Sequence, residues 1–364
     1  MIKKTILIAT GGTGGHIFPA YSLANYFKEK NYTIELTSDK RGLKYLKNVK
    51  NFHIINIPSS PLLKKNYFKY LFSIFIIVFA TIKSFIFLLF NRPSIVLGMG
   101  GYSSIPVCIA AFFLKIRFVI YENNLIIGKA NKFLLPFAQK IFVSYQVLEG
   151  IPDKYKNKIT VIGNLVREEI IKNRISSDKK EEFNNLKILV LGGSQAAKVF
   201  AEQLPSIFEK IKNSEIPIKI YQQCQKYQNN QLSEFYKKAE IEHELFNFTN
   251  NIIEYYLKSN LVITRAGASV LGELININIP FISIPLPSSA DNHQYKNAEF
   301  YSKKGYGYLL EEKDIKNKLY DLISNILEDK SSIKNILSNQ RQYSDKNIFK
   351  KLNMIIEKII YEKN

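Results

Sequence analysis

Thr10-Gly11-Gly12-Thr13-Gly14-Gly15-His16 follows the apolar run Ile6-Leu7-Ile8-Ala9 and precedes a segment of helical periodicity from about Ile17 to Lys30. Strand, glycine loop and helix in that order aim backbone N–H groups and a helix N-terminus at an anion. Glycines remove the Cβ atoms that would hold a phosphate away from the backbone. The spacing is not the dinucleotide fingerprint, and no Gly-Lys-Ser/Thr follows, so this is not a P-loop. Without a ligand, the same stretch would be a tight turn between a strand and a helix. His16 falls at the start of the helix beside the anion site, where an imidazole can exchange a proton with a bound substrate.

The rest of the chain repeats this pattern. Apolar runs at Tyr32–Thr37, His53–Ile57, Ser94–Leu97, Arg117–Tyr121, Ile141–Ser144 and Ile159–Ile162 read as strands. They alternate with helical stretches, which predicts a parallel sheet covered by helices. A second glycine loop, Gly98-Met99-Gly100-Gly101-Tyr102-Ser103-Ser104, follows one of them. After the polar stretch Glu168–Asn185 the pattern restarts with Leu186–Leu191 and Gly192-Gly193-Ser194-Gln195-Ala196-Ala197. Further strands are predicted at Lys219–Gln223, Leu261–Thr264 and Pro280–Ile284, and helices at Asp314–Leu327 and Asn347–Tyr361. The fold class is therefore α/β, with two Rossmann-like domains hinged at Gly163–Arg167. A length of 364 residues accommodates two such domains.

In the second half, Thr264-Arg265-Ala266-Gly267-Ala268-Ser269 again runs from a strand into a helix, which carries Glu273. Backbone donors there face an anion, and a carboxylate at Glu273 suits paired sugar hydroxyls. Asp291-Asn292-His293-Gln294 opens a later helix with groups suited to a sugar.

Tyr70–Ile82 contains no charge, Lys83 interrupts, and Ser84–Phe90 continues the apolar run. A buried helix, a membrane span and a helix with one face on the sheet and the other in lipid all fit this pattern. Lys83 is costly at the centre of a bilayer. Lys64, Lys65, Lys69, Lys83 and Arg92 would form a basic rim for anionic headgroups, which favours the third placement.

Lys and Arg number 51 against 31 Asp and Glu, a formal net charge of +20. The excess suggests an anionic partner, discounted by a general abundance of Lys, Asn, Ile, Phe and Tyr. No nucleic-acid-binding module or arginine-rich run appears, so a nucleic-acid partner is not expected. Two distant cysteines, Cys108 and Cys224, exclude a disulfide scaffold and a cysteine zinc site and suit a reducing compartment. No cleavable signal peptide is read at the N-terminus.

The ordered set GGTGGHIFPA, GMGGYSSIP, ENN at Glu122–Asn124, GNLVR, GGSQAA, TRAGAS with Glu273, and DNHQYKNA resembles the MurG family of GT-B glycosyltransferases. Each loop alone is a weak signal; the set, spread from Ile6 to about Ala298, is specific. The resemblance implies two Rossmann-like domains facing across a cleft, residues 1–165 completed by a terminal helix at 346–364, and residues 166–345. It implies transfer of GlcNAc from UDP-GlcNAc to undecaprenyl-pyrophosphoryl-MurNAc-pentapeptide, without a cofactor, at the cytoplasmic face of the inner membrane. The Tyr67–Phe90 region would be the membrane contact.

The acceptor diphosphate would meet Gly11, Gly12, Gly14, Gly15, Gly100, Gly101, Tyr102 and Ser103. UDP-GlcNAc would meet Thr13, Gly14, Gly15, Asn124, Arg167, Ser194, Gln195, Thr249, Arg265, Gly267, Ala268, Glu273, His293 and Gln294. His16 is the expected catalytic base and Glu122 the alternative. No Asp-x-Asp metal site is read, so a divalent ion is not expected to be essential. The chain departs from the family pattern at Tyr121, where the family has His, at Leu165 for Pro, at Ala266 for Ser, and at His293 for Gln. A GT-B enzyme with another lipid acceptor, or a nucleotide-sugar epimerase of similar architecture, would share many of these loops.

Overall fold

The computed structural model describes residues 4–46, 51–61, 67–175, 185–249 and 251–362, with the side chains of 194–197 outside that description. The chain forms two compact units, Met1–Arg167 with Asp345–Asn364, and Glu168–Ser344.

The first unit is built on strands Thr5–Ala9 (β1), Thr33–Ser38 (β2), His53–Asn56 (β3), Ile95–Gly98 (β4), Phe118–Glu122 (β5), Ile141–Val143 (β6) and Ile159–Val161 (β7). They form one sheet in the order β3-β2-β1-β4-β5-β6-β7, every pair parallel. Its helices are Gly14–Glu29 (α1), Lys40–Leu46 (α2), Tyr67–Asn91 (α3), Ser104–Phe113 (α4) and Lys129–Leu134 (α5). Side chains alternate along a strand. On β1, Leu7 and Ala9 accordingly join the core under α3, α4 and α5, while Ile6 and Ile8 join the opposite one. A sheet covered on both faces explains why β1 reads as a continuous apolar run.

The second unit has strands Leu186–Leu191 (β8), Ile218–Gln223 (β9), Glu242–Phe246 (β10), Leu261–Thr264 (β11), Phe281–Ser283 (β12) and Tyr308–Leu309 (β13), in the order β10-β9-β8-β11-β12-β13. Around them lie Glu168–Lys172 (α6), Gly193–Asn213 (α7), Asn229–Lys238 (α8), Ile252–Lys258 (α9), Ala268–Ile277 (α10), His293–Lys303 (α11), Ile315–Glu328 (α12) and Lys330–Gln342 (α13). All its strand pairs are parallel. The last helix, Ile348–Tyr361 (α14), returns to the first unit. It lays Ile348, Leu352, Ile356 and Ile359 into the core shared with α1, and Phe349 stacks on Tyr26 at 5.1 Å between ring centres.

In both sheets the chain winds outward on one side, then crosses back to the other side of its first strand. The switch points lie between β1 and β4 and between β8 and β11. Crevices at such points, outside the carboxyl ends of the strands, are where open α/β sheets bind ligands. The glycine loops named from the sequence leave those four strands.

α3 inverts the pattern of a core helix. It buries only Ser73, Ala80, Ser84 and Leu88, a stripe made mostly of small residues. The large side chains Phe68, Phe72, Phe75, Val78, Phe79, Ile82, Ile86 and Phe90 are all more than half exposed. That rules out the buried-helix reading of this segment. Lys83 Nζ reaches the Asn56 carbonyl at 2.8 Å, and an Arg92 amine faces the Leu114 carbonyl at 3.4 Å. Lys64 and Lys65 lie outside the described residues.

Candidate active site

Two glycine loops meet at the switch point of the first unit. Ala9 and Gly98 are register partners at the ends of β1 and β4, and Met99 N donates to Ala9 O at 2.8 Å. The two loops approach each other closely. A Cβ built on Gly11 would stand 2.5 Å from Ser103 Oγ. One on Gly100 would stand 3.1 Å from His16 Cε1 and 3.2 Å from Nδ1, and one on Gly101 would stand 3.4 Å from Cδ2. The His16 imidazole therefore lies across the Gly100–Gly101 backbone, half-buried at the seam. Gly100 and Gly101 also adopt φ of +87° and +71°, a region that glycine enters without steric cost.

α1 begins three residues earlier than the periodicity predicts. Thr13 is its N-cap, in extended conformation, and Gly14 and Gly15 form its first turn. Glycine contributes no helical signal of its own, so the apolar pattern shows only from Ile17. His16 is thus a first-turn residue, held by His16 N to Thr13 O at 3.2 Å and by Thr10 Oγ1 donating to His16 O at 3.0 Å. A third segment closes in from the end of β5, where Asn123 Nδ2 donates to Gly15 O at 3.1 Å. Gly11, Gly12, Thr13, Gly14, Gly15, His16, Gly100, Gly101, Tyr102 and Ser103 are thereby gathered at one sheet edge. Arg167, in this same unit, lies over the Phe18 ring of α1 at 5.7 Å.

Glu122 occupies a different kind of place. Its carboxylate is 2% exposed. Oε1 accepts from Asn124 N at 3.0 Å and Asn124 Nδ2 at 2.9 Å, and Oε2 from Gly128 N at 2.8 Å and Asn131 Nδ2 at 2.9 Å. Four donors on two oxygens knot the segment from β5 to α5 and set Asn124 beside Asn123. Both Glu122 oxygens are thus engaged within this segment, and of the two base candidates it is His16 that lies against the second glycine loop.

Asp39 and Arg41, not singled out in the sequence, stand just beyond β2. Asp39 Oδ1 accepts from Gly12 N and Gly42 N, each at 2.9 Å, and Oδ2 from Ser59 Oγ at 2.7 Å and from Arg41 at 2.9 and 3.1 Å. Burial pushes the Asp39 carboxyl up, but the donors Gly12, Ser59, Gly42 and Arg41 outweigh it and hold the group below its ordinary value. The Gly12 N–H is thus directed at Asp39 instead of at open space. The signal available in the sequence was position, since Asp39 directly follows the carboxyl end of a strand beside the switch point.

The second unit repeats the layout with different chemistry. Gly193 opens α7 after β8, with φ of +63° and its N 3.3 Å from Gln223 Oε1. The side chains of Ser194 and Gln195 lie outside the described residues. After β11, Gly267 is the N-cap of α10 and Ala268 its first residue. The Arg265 side chain does not project from this loop. It is 6% exposed, donates to Ile284 O at 3.2 Å and Pro285 O at 3.1 Å, pairs with Glu312, and lies 4.7 Å from the Phe200 ring centre. Burial draws its guanidinium below the ordinary value while Glu312 pulls the other way. Two carbonyls and a carboxylate thus hold the Arg265 guanidinium against the fold, and the expected nucleotide contact of this loop rests on its backbone amides. Backbone donors at Gly267 and Ala268 stay at the helix start.

Glu273 lies one and a half turns along α10, 9% exposed, accepting from Tyr256 Oη at 3.0 Å. Gln294 Oε1 accepts from Leu286 N at 3.0 Å, and His293 Nδ1 stands 2.7 Å from Ala290 O. Both follow a turn in which Asp291 and Asn292 take φ of 50° and 55°. Thr249 Oγ1 accepts from Asn251 N at 3.0 Å, at the start of α9. Among the described residues, no group of three His, Cys, Asp or Glu side chains is placed to hold a metal ion.

Tyr121 lies inside the sheet of the first unit. Its hydroxyl stands 2.9 Å from Ser144 Oγ and accepts from Leu165 N at 3.1 Å, tying β5 to the segment that leaves the unit. Burial pushes this phenol up.

The glycosyltransferase family 28 N-terminal domain matches residues 6–143, and the family 28 C-terminal domain matches residues 187–353. A Pelagibacter ubique (strain HTCC1062) protein named UDP-N-acetylglucosamine--N-acetylmuramyl-(pentapeptide) pyrophosphoryl-undecaprenol N-acetylglucosamine transferase is 37% identical over 365 residues, covering 99% of this chain and 100% of that one. A Rickettsia felis protein of the same name is 38% identical over 358 residues, with coverage of 94% and 96%. Among solved structures, Acinetobacter baumannii MurG superposes with a TM-score of 0.76 at 24% identity, over 98% of this chain and 99% of that one. A UDP-N-acetylglucosamine 2-epimerase shares the architecture at a TM-score of 0.65 and 14% identity, over 100% and 98%. Identity above one third along essentially the whole length makes this chain a member of the MurG family of glycosyltransferases.

Proposed function

We propose that the protein moves GlcNAc from UDP-GlcNAc to the C4 hydroxyl of MurNAc in undecaprenyl-pyrophosphoryl-MurNAc-pentapeptide, converting lipid I to lipid II in peptidoglycan synthesis. The observation that carries this reading is near full-length identity to transferases of that name. Glycine loops at the switch points of both sheets support it.

The acceptor diphosphate binds in the first unit, at Gly11, Gly14, Gly15, Gly100, Gly101, Tyr102 and Ser103. UDP-GlcNAc is held by the second unit through Ser194, Gln195, Thr249, the Gly267–Ala268 amides, Glu273 on the ribose, and His293 and Gln294 at the sugar. Thr13, Asn124 and Arg167 complete the donor contacts. The acceptor O–H attacks the anomeric carbon as the bond from that carbon to the UDP oxygen breaks. The configuration inverts from α to β in one displacement. His16 takes the hydroxyl proton, and the leaving diphosphate is met by backbone donors at a helix start and by Arg167.

The exposed face of α3 enters the lipid surface. Phe112, Phe113, Phe133 and Phe137, exposed at the ends of α4 and α5, extend that apolar area, with ring centres of neighbours 4.8–6.3 Å apart. Such a face, unpartnered on a folded unit, suits a peripheral association with the cytoplasmic leaflet.

Incubation with UDP-GlcNAc and a short-chain lipid I analogue is expected to yield a β1→4-linked disaccharide by NMR. His16→Ala is expected to lower kcat by about 10²–10⁴-fold. Near-normal turnover in that variant would remove His16 as the base.

A further inference from the structure

We propose that Arg41 binds the diphosphate of the lipid acceptor and that buried Asp39 is the positioning residue that sets it there. The inference rests on the acceptor reading given above and adds two side chains to it.

Asp39 is 3% exposed and links three segments: the first glycine loop through Gly12 N, the start of α2 through Gly42 N, and the strand exit after β3 through Ser59. A carboxylate at the edge of an anion site would repel the ligand unless it were neutralised. Here Arg41 neutralises it through Nε and one terminal nitrogen, both on Oδ2. The Arg41 side chain is nevertheless 55% exposed, against 4% for Asp39. Its Nη2 lies 3.9 Å from where a Gly12 Cβ would stand, so the guanidinium flanks the glycine loop on its open side.

Gly12 gives its own N–H to Asp39, which leaves that corner of the loop without a backbone donor. Arg41 supplies the replacement. Among the described residues its Nη1 makes no hydrogen bond, and a planar fork with free N–H groups matches phosphate oxygens. At the same seam, Ser103 Oγ is buried beside Gly11 with no hydrogen-bond partner among the described residues. A buried hydroxyl that spends its hydrogen bond on no side chain or backbone group here is available to a phosphate oxygen at the seam.

The test uses the full-length protein in detergent, without vesicles, with UDP-GlcNAc and a short-chain lipid I analogue. Arg41→Ala is expected to raise the acceptor KM at least tenfold while the UDP-GlcNAc KM stays within twofold. Arg41→Lys is expected to fall between the two, since it keeps the charge and loses the fork. Asp39→Asn is expected to raise the acceptor KM likewise; should that variant fail to fold, the two Arg41 variants carry the test. An unchanged acceptor KM in Arg41→Ala overturns the proposal, and so does a rise confined to the UDP-GlcNAc KM. Absence of transfer by the unaltered protein would instead overturn the acceptor reading, and this inference with it.

Discussion

Replacing Glu122 with Gln separates a positioning carboxylate from a catalytic one. The substitution keeps size and shape and turns one acceptor oxygen into an NH2 group. In either amide orientation, two of the four donors now face a donor: Asn124 N and Nδ2, or Gly128 N and Asn131 Nδ2. Asn131 cannot relieve this by flipping without cost, because its Nδ2 also donates to Tyr121 O at 2.9 Å. Each buried donor left unmatched costs about 1–3 kcal/mol, so two of them cost about 2–6 kcal/mol. For a unit of this size that is a fall in Tm of about 4–24 °C. Calorimetry on the two proteins at neutral pH reads it directly, and kcat measured well below the new Tm is expected to drop less than for His16→Ala. An unchanged Tm together with a loss in kcat of about 10²-fold or more would refute the reasoning and return the base to Glu122.

Three further outcomes follow from the same geometry. Asp39 has its carboxyl held below the ordinary value, so its contribution to stability is present above about pH 4 and is lost as pH falls through the folded value. Urea unfolding of Asp39→Asn is therefore expected to show a deficit at pH 7 that closes toward pH 3. Arg265→Ala leaves Glu312 and two carbonyls without their donor, and is expected to cost the second unit about 3–5 kcal/mol in chemical denaturation. Phe72, Phe75 and Phe79 are 64%, 67% and 55% exposed, and moving each further into lipid is worth about 1 kcal/mol. Changing all three to Ser is expected to weaken sedimentation with anionic vesicles about 100-fold without lowering Tm.

The parallel sheets were legible because strands covered on both faces are apolar nearly throughout, as Ile6–Ala9 and Ile188–Leu191 are. β10 escaped because Glu242, His243 and Glu244 give an edge strand a polar sequence, and β13 because two residues carry no period. The glycine loops announced the switch points, since Gly100 and Gly101 take φ of +87° and +71° where they meet His16 and a Cβ on Gly100 would crowd its ring. What the sequence concealed was the direction of side chains. Arg265 and Glu122 each sit in a motif read for ligand contact, and the side chains of both are engaged within the fold, by carbonyls and a carboxylate in one case and by four donors in the other. Asp39 and Arg41 show the reverse: no motif marks them, and the sheet order alone brings the end of β2 beside the loop from β1. Tyr121, read from the resemblance as a departure from the family pattern, has its hydroxyl against Ser144 and Leu165 deep in the sheet of the first unit.

The most direct measurement follows the sugar itself: labelled UDP-GlcNAc is incubated with the protein, with and without a short-chain lipid I analogue, in EDTA. Label is expected to move to the lipid only when the acceptor is present, with UDP released in equal amount and the remaining donor unchanged. Conversion of UDP-GlcNAc in the absence of acceptor, with no label in lipid, would contradict glycosyl transfer and place the chemistry with the epimerases that share this architecture.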